Sequence, residues 1–138
     1  MDAPLTGHCN CGTVRYEVTA PLERAIYCHC TRCQRRTGTA ASAQAVPAPG
    51  SFRLLAGEAQ LRSWVPGDGG GEKVFCGECG SAMFARDADS GEVTGIRMGT
   101  IDGDPGIRPS ERQYVAYAAA WEDVPDDGLP HHLESRGG

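Results

Sequence analysis

Seven cysteines in three tight groups constrain this chain more than any other feature of its sequence. The groups are Cys9-Asn10-Cys11, Cys28-His29-Cys30-Thr31-Arg32-Cys33 and Cys76-Gly77-Glu78-Cys79. Short separations let a tight turn aim two sulfur atoms at one metal ion, and Gly12 and Gly80 suit such turns. Buried cysteines can also serve as small apolar residues, but that alternative does not account for the clustering. We therefore interpret the cysteines as ligands of zinc.

The number of cysteines sets how they divide between metal ions, because zinc prefers four ligands in tetrahedral geometry. The two outer pairs make one closed structural site, whose ligands are Cys9, Cys11, Cys76 and Cys79. The middle group makes a second site that lacks one ligand, and its cysteines are Cys28, Cys30 and Cys33. His8, His29 or a later histidine can fill that position and make a second structural site. Alternatively, water or substrate takes the position and the site is catalytic.

The charge of the middle group decides which chemistry an open site would support. Three thiolates outweigh one zinc ion by a single negative charge, so the metal is a weaker Lewis acid than one held by neutral histidines. Hydrolysis by zinc-bound water is therefore disfavoured. A sulfur-rich centre is suited to binding another sulfur and to presenting it as a nucleophile, which predicts a thiol substrate.

Basic residues beside the middle group are the candidate substrate-binding residues. Arg32, Arg35 and Arg36 lie within five positions of one another on an otherwise acidic chain. Arginine grips carboxylates, so these side chains could steer a carboxylate-bearing thiol to the metal, or they could simply balance the thiolate charge. His29 lies between two ligands and is either a donor or base at the site or a packed side chain.

Composition predicts one mainly β domain. The 138 residues include 19 glycines and 9 prolines, and this turn-rich balance favours short strands and loops over long helices. No internal repeat or dividing linker interrupts the sequence. We expect a single domain over residues 1–138, with an exposed tail from about residue 126.

Alternating and apolar segments predict where the strands lie. Residues 13–18 alternate as a half-buried strand does, and residues 40–46 are a weaker strand candidate. Residues 52–55 and 61–65 are predicted to be the arms of a hairpin around Gly57-Glu58.

The segments next to the cysteines are predicted to be turns and a hairpin. Apolar residues lead into and out of the third cysteine group, at 73–75 and 82–84, which is the strand, knuckle and strand arrangement of a zinc ribbon. Residues 34–38 are polar and end on a glycine, so the second group is predicted to lie at a turn.

The charge of the chain argues against several partners. The formal net charge is -5, and seven thiolates with two zinc ions change it to about -8. Such a surface repels phosphate backbones, which disfavours nucleic acid. No apolar run approaches the roughly 20 residues that span a bilayer, so no membrane role is expected. Clustered free thiols predict a reducing, cytoplasmic location.

Three stretches of the sequence resemble one known family. They read G-H-C-N-C-G-T-V-R-Y-E-V from Gly7, C-H-C-T-R-C-Q-R-R-T-G from Cys28 and F-C-G-E-C-G-S-A-M-F from Phe75. In order and spacing they are similar to the glutathione-dependent formaldehyde-activating enzymes and centromere protein V. Weaker similarity continues at residues 98–102 and 126–130, so the resemblance covers nearly the whole chain.

The resemblance implies a fold, two zinc ions and an activity. The fold is a β-tent of packed antiparallel sheets, in which the outer cysteine pairs form the structural zinc site and the middle triad forms the catalytic one. The implied activity is addition of glutathione to formaldehyde, giving S-hydroxymethylglutathione, classed as a carbon–sulfur lyase. Glutathione carries a thiol and two carboxylates, which suits the triad and the arginines.

Two other classes of function compete with this one. The first is a non-enzymatic, zinc-stabilised module that binds a protein partner. The second is thiol redox chemistry at Cys76 and Cys79, which is disfavoured because the strand, helix and strand pattern that normally accompanies such a motif is absent.

Overall fold

A computed structural model describes residues 3–135 of the chain. Its one α-helix in that range is α1 (Thr31–Thr37), and three 3₁₀ turns cover Glu58–Gln60, Met98–Thr100 and Val115–Tyr117. The strands are β1 (Leu5–His8), β2 (Arg15–Val18), β3 (Arg24–Cys28), β4 (Ser42–Val46), β5 (Phe52–Ala56), β6 (Leu61–Trp64), β7 (Glu72–Cys76), β8 (Ala82–Arg86), β9 (Val93–Arg97) and β10 (Arg112–Gln113).

The strands form two packed sheets, which confirms the mainly β fold. The smaller sheet has the order β1-β2-β5 and the larger has the order β10-β3-β4-β9-β8-β7-β6. Neighbouring strands are antiparallel except for β10, which pairs in parallel with β3. The predicted strand at residues 13–18 is confirmed as β2, where buried Tyr16 and Val18 alternate with more exposed residues.

Aromatic side chains join the two sheets. The Tyr16 ring on β2 stacks on Phe52 of β5 with centroids 5.0 Å apart, and Phe52 lies 4.8 Å from Phe84 of β8 in the larger sheet. Ile96, which pairs with Phe84 across β8 and β9, is fully buried beside them. Burial of each such side chain contributes about 1.5–3 kcal/mol, so this contact helps to hold the two sheets together.

The larger sheet has a core face and an opposite face that carries the candidate site. A row of paired residues on the core face runs across five strands as Ala25, Ala45, Ile96, Phe84 and Val74. Because successive side chains of a strand point to opposite faces, the residues next to these in sequence lie on the other face. Those residues include Gln44, Lys73 and Arg97, and Cys28 also lies on that face.

Two local predictions were wrong. Strand β5 pairs with β2 in the smaller sheet, and β6 pairs with β7 in the larger, so they are not arms of one hairpin. Gly57 separates them at φ 89°, packed so closely that a Cβ there would lie 2.5 Å from the Thr13 carbonyl oxygen. Residues 34–38, predicted to be a turn, continue α1 up to Gly38, which ends the helix at φ 69°.

The hairpin of β7 and β8 around the third cysteine group is confirmed, as is the strand predicted at residues 40–46, which is β4. The segment from residue 126 has mostly exposed side chains, but its backbone runs along β10. Arg112 donates its backbone N–H to Pro130, and His132 donates to Arg112. Residues 136–138 lie outside the described range. Within that range no helix is long and apolar enough to cross a membrane.

Candidate metal centre

The four-cysteine cluster brings together sulfur atoms from two distant parts of the chain. Its members are Cys9, Cys11, Cys76 and Cys79, and their Sγ atoms all lie within 4.8 Å of one another. The Sγ atoms of Cys9 and Cys11 are 3.5 Å apart, and those of Cys11 and Cys76 are 3.9 Å apart. A zinc ion with sulfur ligands at 2.3 Å separates neighbouring sulfurs by about 3.8 Å. The cluster therefore fits zinc as its sequence predicted.

Two similar turns position these sulfurs. In the first, Gly12 at φ 80° donates its N–H to the Cys9 carbonyl at 3.0 Å. In the second, Gly80 at φ 81° donates to the Cys76 carbonyl at 2.8 Å. Positive φ is easily reached only by glycine, which explains why each pair is followed by one.

Ser81 connects the two turns of the four-cysteine cluster. Its Oγ accepts a hydrogen bond from the Asn10 N–H at 3.0 Å and lies 3.2 Å from the Cys79 Sγ. The Ser81 contact lowers the pKa of Cys79 to about 5, and contact with Thr13 lowers the pKa of Cys11. The Ser81 and Thr13 contacts therefore favour the thiolate forms of Cys79 and Cys11, and the thiolate is the form that binds zinc.

The three-cysteine cluster forms where β3 passes into α1. Cys28 ends β3, Cys30 is the N-cap residue of α1, and Cys33 lies inside the helix. Their Sγ atoms lie within 4.8 Å of one another. The Cys30 Sγ accepts a hydrogen bond from the backbone N–H of Cys33 at 3.3 Å. This bond fixes the position of the sulfur and gives a partner to one of the free N–H groups in the first turn of α1.

Hydrogen bonds among the three thiols favour charge on Cys33. Contacts from Cys28 and then Cys30 lower the pKa of Cys33, and contacts with Ser42 and the charge of Arg97 lower it further. Contacts with Cys30 and Cys33 raise the pKa of Cys28. Thiolates this close repel one another, so a bound cation would stabilise three of them together.

The histidines in the described part of the chain do not add a fourth ligand to the three-cysteine cluster. No His, Asp or Glu ligand atom of residues 3–135 joins the three sulfurs within 4.8 Å. His8 pairs with Asp102 at 3.2 Å, and His132 pairs with Glu111 at 3.2 Å. The Nε2 atom of His29 lies 3.1 Å from Arg112.

Arg112 is a buried residue that the sequence did not identify. Its side chain pairs with Asp127 at 2.8 Å and lies over the Tyr27 ring with 4.3 Å between the guanidinium carbon and the ring centroid. It therefore joins β10, β3 and the C-terminal segment behind His29. Burial, and next the charge of Arg112, lower the pKa of His29, which favours a neutral ring.

The three predicted substrate-binding arginines have different surroundings. Arg32 pairs with Asp68 and lies 5.7 Å from the Trp64 ring centroid. Arg35 is exposed in the last turn of α1. The Nε atom of Arg36 is buried and has no hydrogen-bond partner in the described structure.

Lys73 and Arg97 add to the positive charge at the three-cysteine cluster, and neither was predicted from the sequence. Arg97 pairs with Gln44 across β4 and β9, and the Gln44 amide nitrogen lies 3.9 Å from the Cys33 Sγ. Burial, and then Arg97, lower the pKa of Lys73. Alternation in β9 could have placed Arg97 opposite Ile96, but only the strand pairing shows that it lies beside Cys33.

Two clefts flank α1. The tyrosine cleft has a volume of about 440 Å³ and is lined by Cys30, Arg32, Asp68, Tyr114, Tyr117 and Glu134, among others. The arginine cleft has a volume of about 480 Å³ and is lined by residues that include Arg36, Thr37, Ser42, Ser81, Arg97 and Thr100. Only the tyrosine cleft contains acidic side chains.

This architecture defines a class of protein: a mainly β chain with two separate sulfur clusters suited to zinc, one of four cysteines and one of three. The family model for "Glutathione-dependent formaldehyde-activating enzyme" matches residues 4–117. The chain belongs to this family.

Individual relatives agree with this assignment. A protein of Halomonas elongata, whose name assigns it provisionally as a glutathione-dependent formaldehyde-activating enzyme, is 28% identical over 116 residues, which cover 80% of this chain and 73% of that protein. A crystal structure of a Rhodobacter sphaeroides protein superimposes with a TM-score of 0.56 at 27% identity, covering 72% of this chain and 89% of the other.

Proposed function

We propose that this protein catalyses the addition of a thiol, with glutathione as the first candidate, to formaldehyde or another small aldehyde. The observation that carries the proposal is the three-cysteine cluster, in which three sulfurs converge and no His, Asp or Glu atom of residues 3–135 joins them. A tetrahedral metal held by three such ligands has one position for an outside molecule. The family to which the chain belongs is named for glutathione and formaldehyde.

Two zinc ions are the proposed cofactors, and each cluster would hold one. The structural ion would be held by Cys9, Cys11, Cys76 and Cys79. The catalytic ion would be held by Cys28, Cys30 and Cys33. When bound at the second cluster, zinc supplies the positive charge that keeps a coordinated thiol ionised at neutral pH.

The reaction is an addition without net oxidation or reduction. A carbon–sulfur bond forms between thiol and aldehyde, the carbon–oxygen double bond becomes single, and the proton lost from sulfur is balanced by one gained at oxygen from water. In reverse the same reaction cleaves a carbon–sulfur bond, which makes the protein a carbon–sulfur lyase.

The contribution of the surrounding residues is charge and positioning. The arginines of α1, Arg32, Arg35 and Arg36, give a positive potential that attracts an acidic thiol. His29 is fixed by Arg112, so its proposed role is to hold the Cys28–Cys30 segment rather than to transfer a proton. Catalysis then rests mainly on holding the thiol in place beside the aldehyde.

The test compares the wild-type protein with Cys30→Ser. The rate of adduct formation from glutathione and formaldehyde is followed by NMR, with the protein-free mixture as the background and zinc measured per chain in each sample. We expect the wild type to exceed the background and Cys30→Ser to fall to it, with bound zinc decreasing from two ions to about one. Equal rates for both proteins would refute the proposal.

The proposal also requires a reducing compartment, for which the cytoplasm is our candidate. None of the seven cysteines forms a disulfide. Oxidation of either cluster would remove the thiolates that hold metal.

A further inference from the structure

The arginine cleft contains two guanidinium groups that are short of partners. The Nε atom of Arg36 is buried without any hydrogen-bond partner in residues 3–135, including the sulfur atoms of the cysteines. Four other arginines pair with carboxylates, namely Arg32 with Asp68, Arg86 with Glu72, Arg108 with Asp104 and Arg112 with Asp127. No carboxylate of the described chain forms an ion pair with Arg36 or Arg97 within 4.0 Å. A buried donor without a partner costs free energy that a ligand can recover.

Like charges meet in this cleft. Arg36 is close enough to Arg97 for the charge of one to act on the other, and both act on the ammonium group of Lys73. Bringing such groups together is unfavourable unless an anion lies among them. The cleft wall contains no aspartate or glutamate, and the protein anion that acts on Arg36 and Lys73 is the Cys33 thiolate, which belongs to the three-cysteine cluster.

Two hydroxyl donors of the cleft are already used within the protein. The Thr37 hydroxyl donates to the Cys33 carbonyl at 2.8 Å, and the Thr100 hydroxyl donates to the Arg97 carbonyl at 2.8 Å. The charged donors of the cleft are the two guanidiniums, which recognise a carboxylate by charge and by paired N–H groups.

The tyrosine cleft is less suited to an anion. Asp68 already pairs with Arg32, and Glu134 also lines this cleft. An incoming carboxylate would compete with Asp68 for Arg32 and be repelled by Glu134. Of the two clefts beside α1, the arginine cleft is therefore the site for a negative group.

Ser42 links the arginine cleft to the three-cysteine cluster. It lines the cleft, pairs with Cys28 across β3 and β4, and contacts Cys33. The geometry points to a carboxylate-binding site between Arg36 and Arg97 that holds an acidic peptide thiol with its sulfur directed to the three-cysteine cluster. This inference rests on the proposed function for the identity of the thiol, but the anion site can be tested separately.

The test measures binding of S-methylglutathione, which keeps both carboxylates and has no free thiol to react. Calorimetry on the zinc-loaded protein compares wild type, Arg97→Gln and Arg53→Gln. Arg53 is exposed on β5 of the smaller sheet, so its replacement changes the net charge equally without touching the cleft. We expect at least a tenfold weaker affinity for Arg97→Gln and an unchanged one for Arg53→Gln. The dimethyl ester of the ligand should bind wild type as weakly as the acid binds Arg97→Gln.

A second variant guards against simple misfolding. Arg97→Lys keeps the charge and loses the paired N–H groups, and we expect an affinity between wild type and Arg97→Gln with zinc content unchanged. Equal affinities of wild type and Arg97→Gln, or no binding to wild type, would overturn the inference. Binding that requires Arg97 in a protein without turnover would instead refute the proposed reaction and leave the anion site standing.

Discussion

The Nη1 atom of Arg112 lies 3.1 Å from Nε2 of His29. A guanidinium can only donate hydrogen bonds, so Nε2 must accept and a neutral His29 carries its proton on Nδ1. His29 is 3% exposed, and it lies between two cysteines of the three-cysteine cluster. The contact therefore sets both the tautomer and the position of this ring, and through it the backbone that carries Cys28 and Cys30.

Arg112→Leu should destabilise the protein because it removes the guanidinium and leaves Asp127 and His29 without their partner. We expect a loss of about 2–3 kcal/mol in the free energy of unfolding, the usual worth of hydrogen bonds to charged groups. Urea unfolding of the zinc-loaded protein measures it. Arg108→Gln is the control, since Arg108 and its partner Asp104 are exposed at 72% and 65%, and such surface pairs contribute little. Equal stabilities of the two variants would contradict this account of Arg112.

Removal of zinc from the four-cysteine cluster should be more damaging than removal from the three-cysteine cluster. The first joins the end of β1 to the hairpin of β7 and β8, whereas the second joins residues within one short segment. A cross-link that closes a loop of roughly 70 residues restricts the unfolded chain by up to about 4 kcal/mol. Cys79→Ser should therefore melt at a lower temperature than Cys30→Ser, as followed by circular dichroism. The reverse order would assign the structural role to the three-cysteine cluster.

Gly7→Ala should disrupt the contact between β1 and the core. A Cβ at Gly7 would lie 2.2 Å from the Tyr16 Cζ atom and 2.6 Å from the Thr100 carbonyl oxygen. The Tyr16 side chain is fully buried and the Thr100 oxygen belongs to the backbone, so neither can move freely. We expect a loss of about 3 kcal/mol in the free energy of unfolding, typical of overpacking. Gly99→Ala is the matched control, because a Cβ there would contact nothing within 4 Å. A comparable loss of unfolding free energy in Gly7→Ala and Gly99→Ala would show that the steric clash at Gly7 is not the cause of the destabilisation.

Tyr16 should make stability depend on pH in alkaline solution. Burial raises the pKa of Tyr16 to about 12 from a usual value of 10.0. Since the folded state holds the proton more tightly, the stabilisation is complete below pH 10 and is lost as pH rises toward 12. The difference in unfolding free energy between wild type and Tyr16→Phe should shift by up to about 2–3 kcal/mol across that window, at about 1.4 kcal/mol per pH unit. Urea unfolding at three pH values measures it, and a constant difference would contradict the buried position of the hydroxyl.

Local sequence patterns predicted the parts of the fold that depend on local interactions. Alternation identified β2, since one of its faces packs on the core, and the apolar residues around Cys76 and Cys79 identified the β7 and β8 hairpin. The pairing of β5 and β6 was not predictable in this way, because it depends on how Gly57 packs against Thr13. Helix α1 was missed for another reason: its N-cap acceptor is the Cys30 sulfur rather than the side chain of Ser, Thr, Asp or Asn.

The cysteine ligands of the candidate site were predictable from local sequence patterns, but the residues that surround them were not. Cysteines two to five positions apart indicate a shared metal site by their spacing alone. The structure brings the Sγ atoms of each cluster within 4.8 Å of one another, as the sequence predicted. Arg97 and Arg112 could not be found, because each reaches the site through strand pairing with a distant segment. The run of three arginines was visible in the sequence, but a helix of seven residues points them in different directions, and only Arg36 lines the arginine cleft.

The two neighbouring arginines of α1 should therefore differ in their effect on the proposed reaction. Arg36 lines the arginine cleft, whereas Arg35 is exposed and lines neither cleft. We expect Arg36→Gln to raise the KM for glutathione about tenfold or more with a smaller change in kcat, because a bound carboxylate contributes to substrate binding before the reaction. Arg35→Gln removes the same charge and should raise KM less than threefold, through long-range attraction alone. Raising the salt concentration should weaken the effect of Arg35→Gln more than that of Arg36→Gln, since exposed charges are screened more strongly than partly buried ones. Initial rates at low and high salt measure both variants, and equal KM values would show that the whole face of α1, rather than the cleft, attracts the thiol.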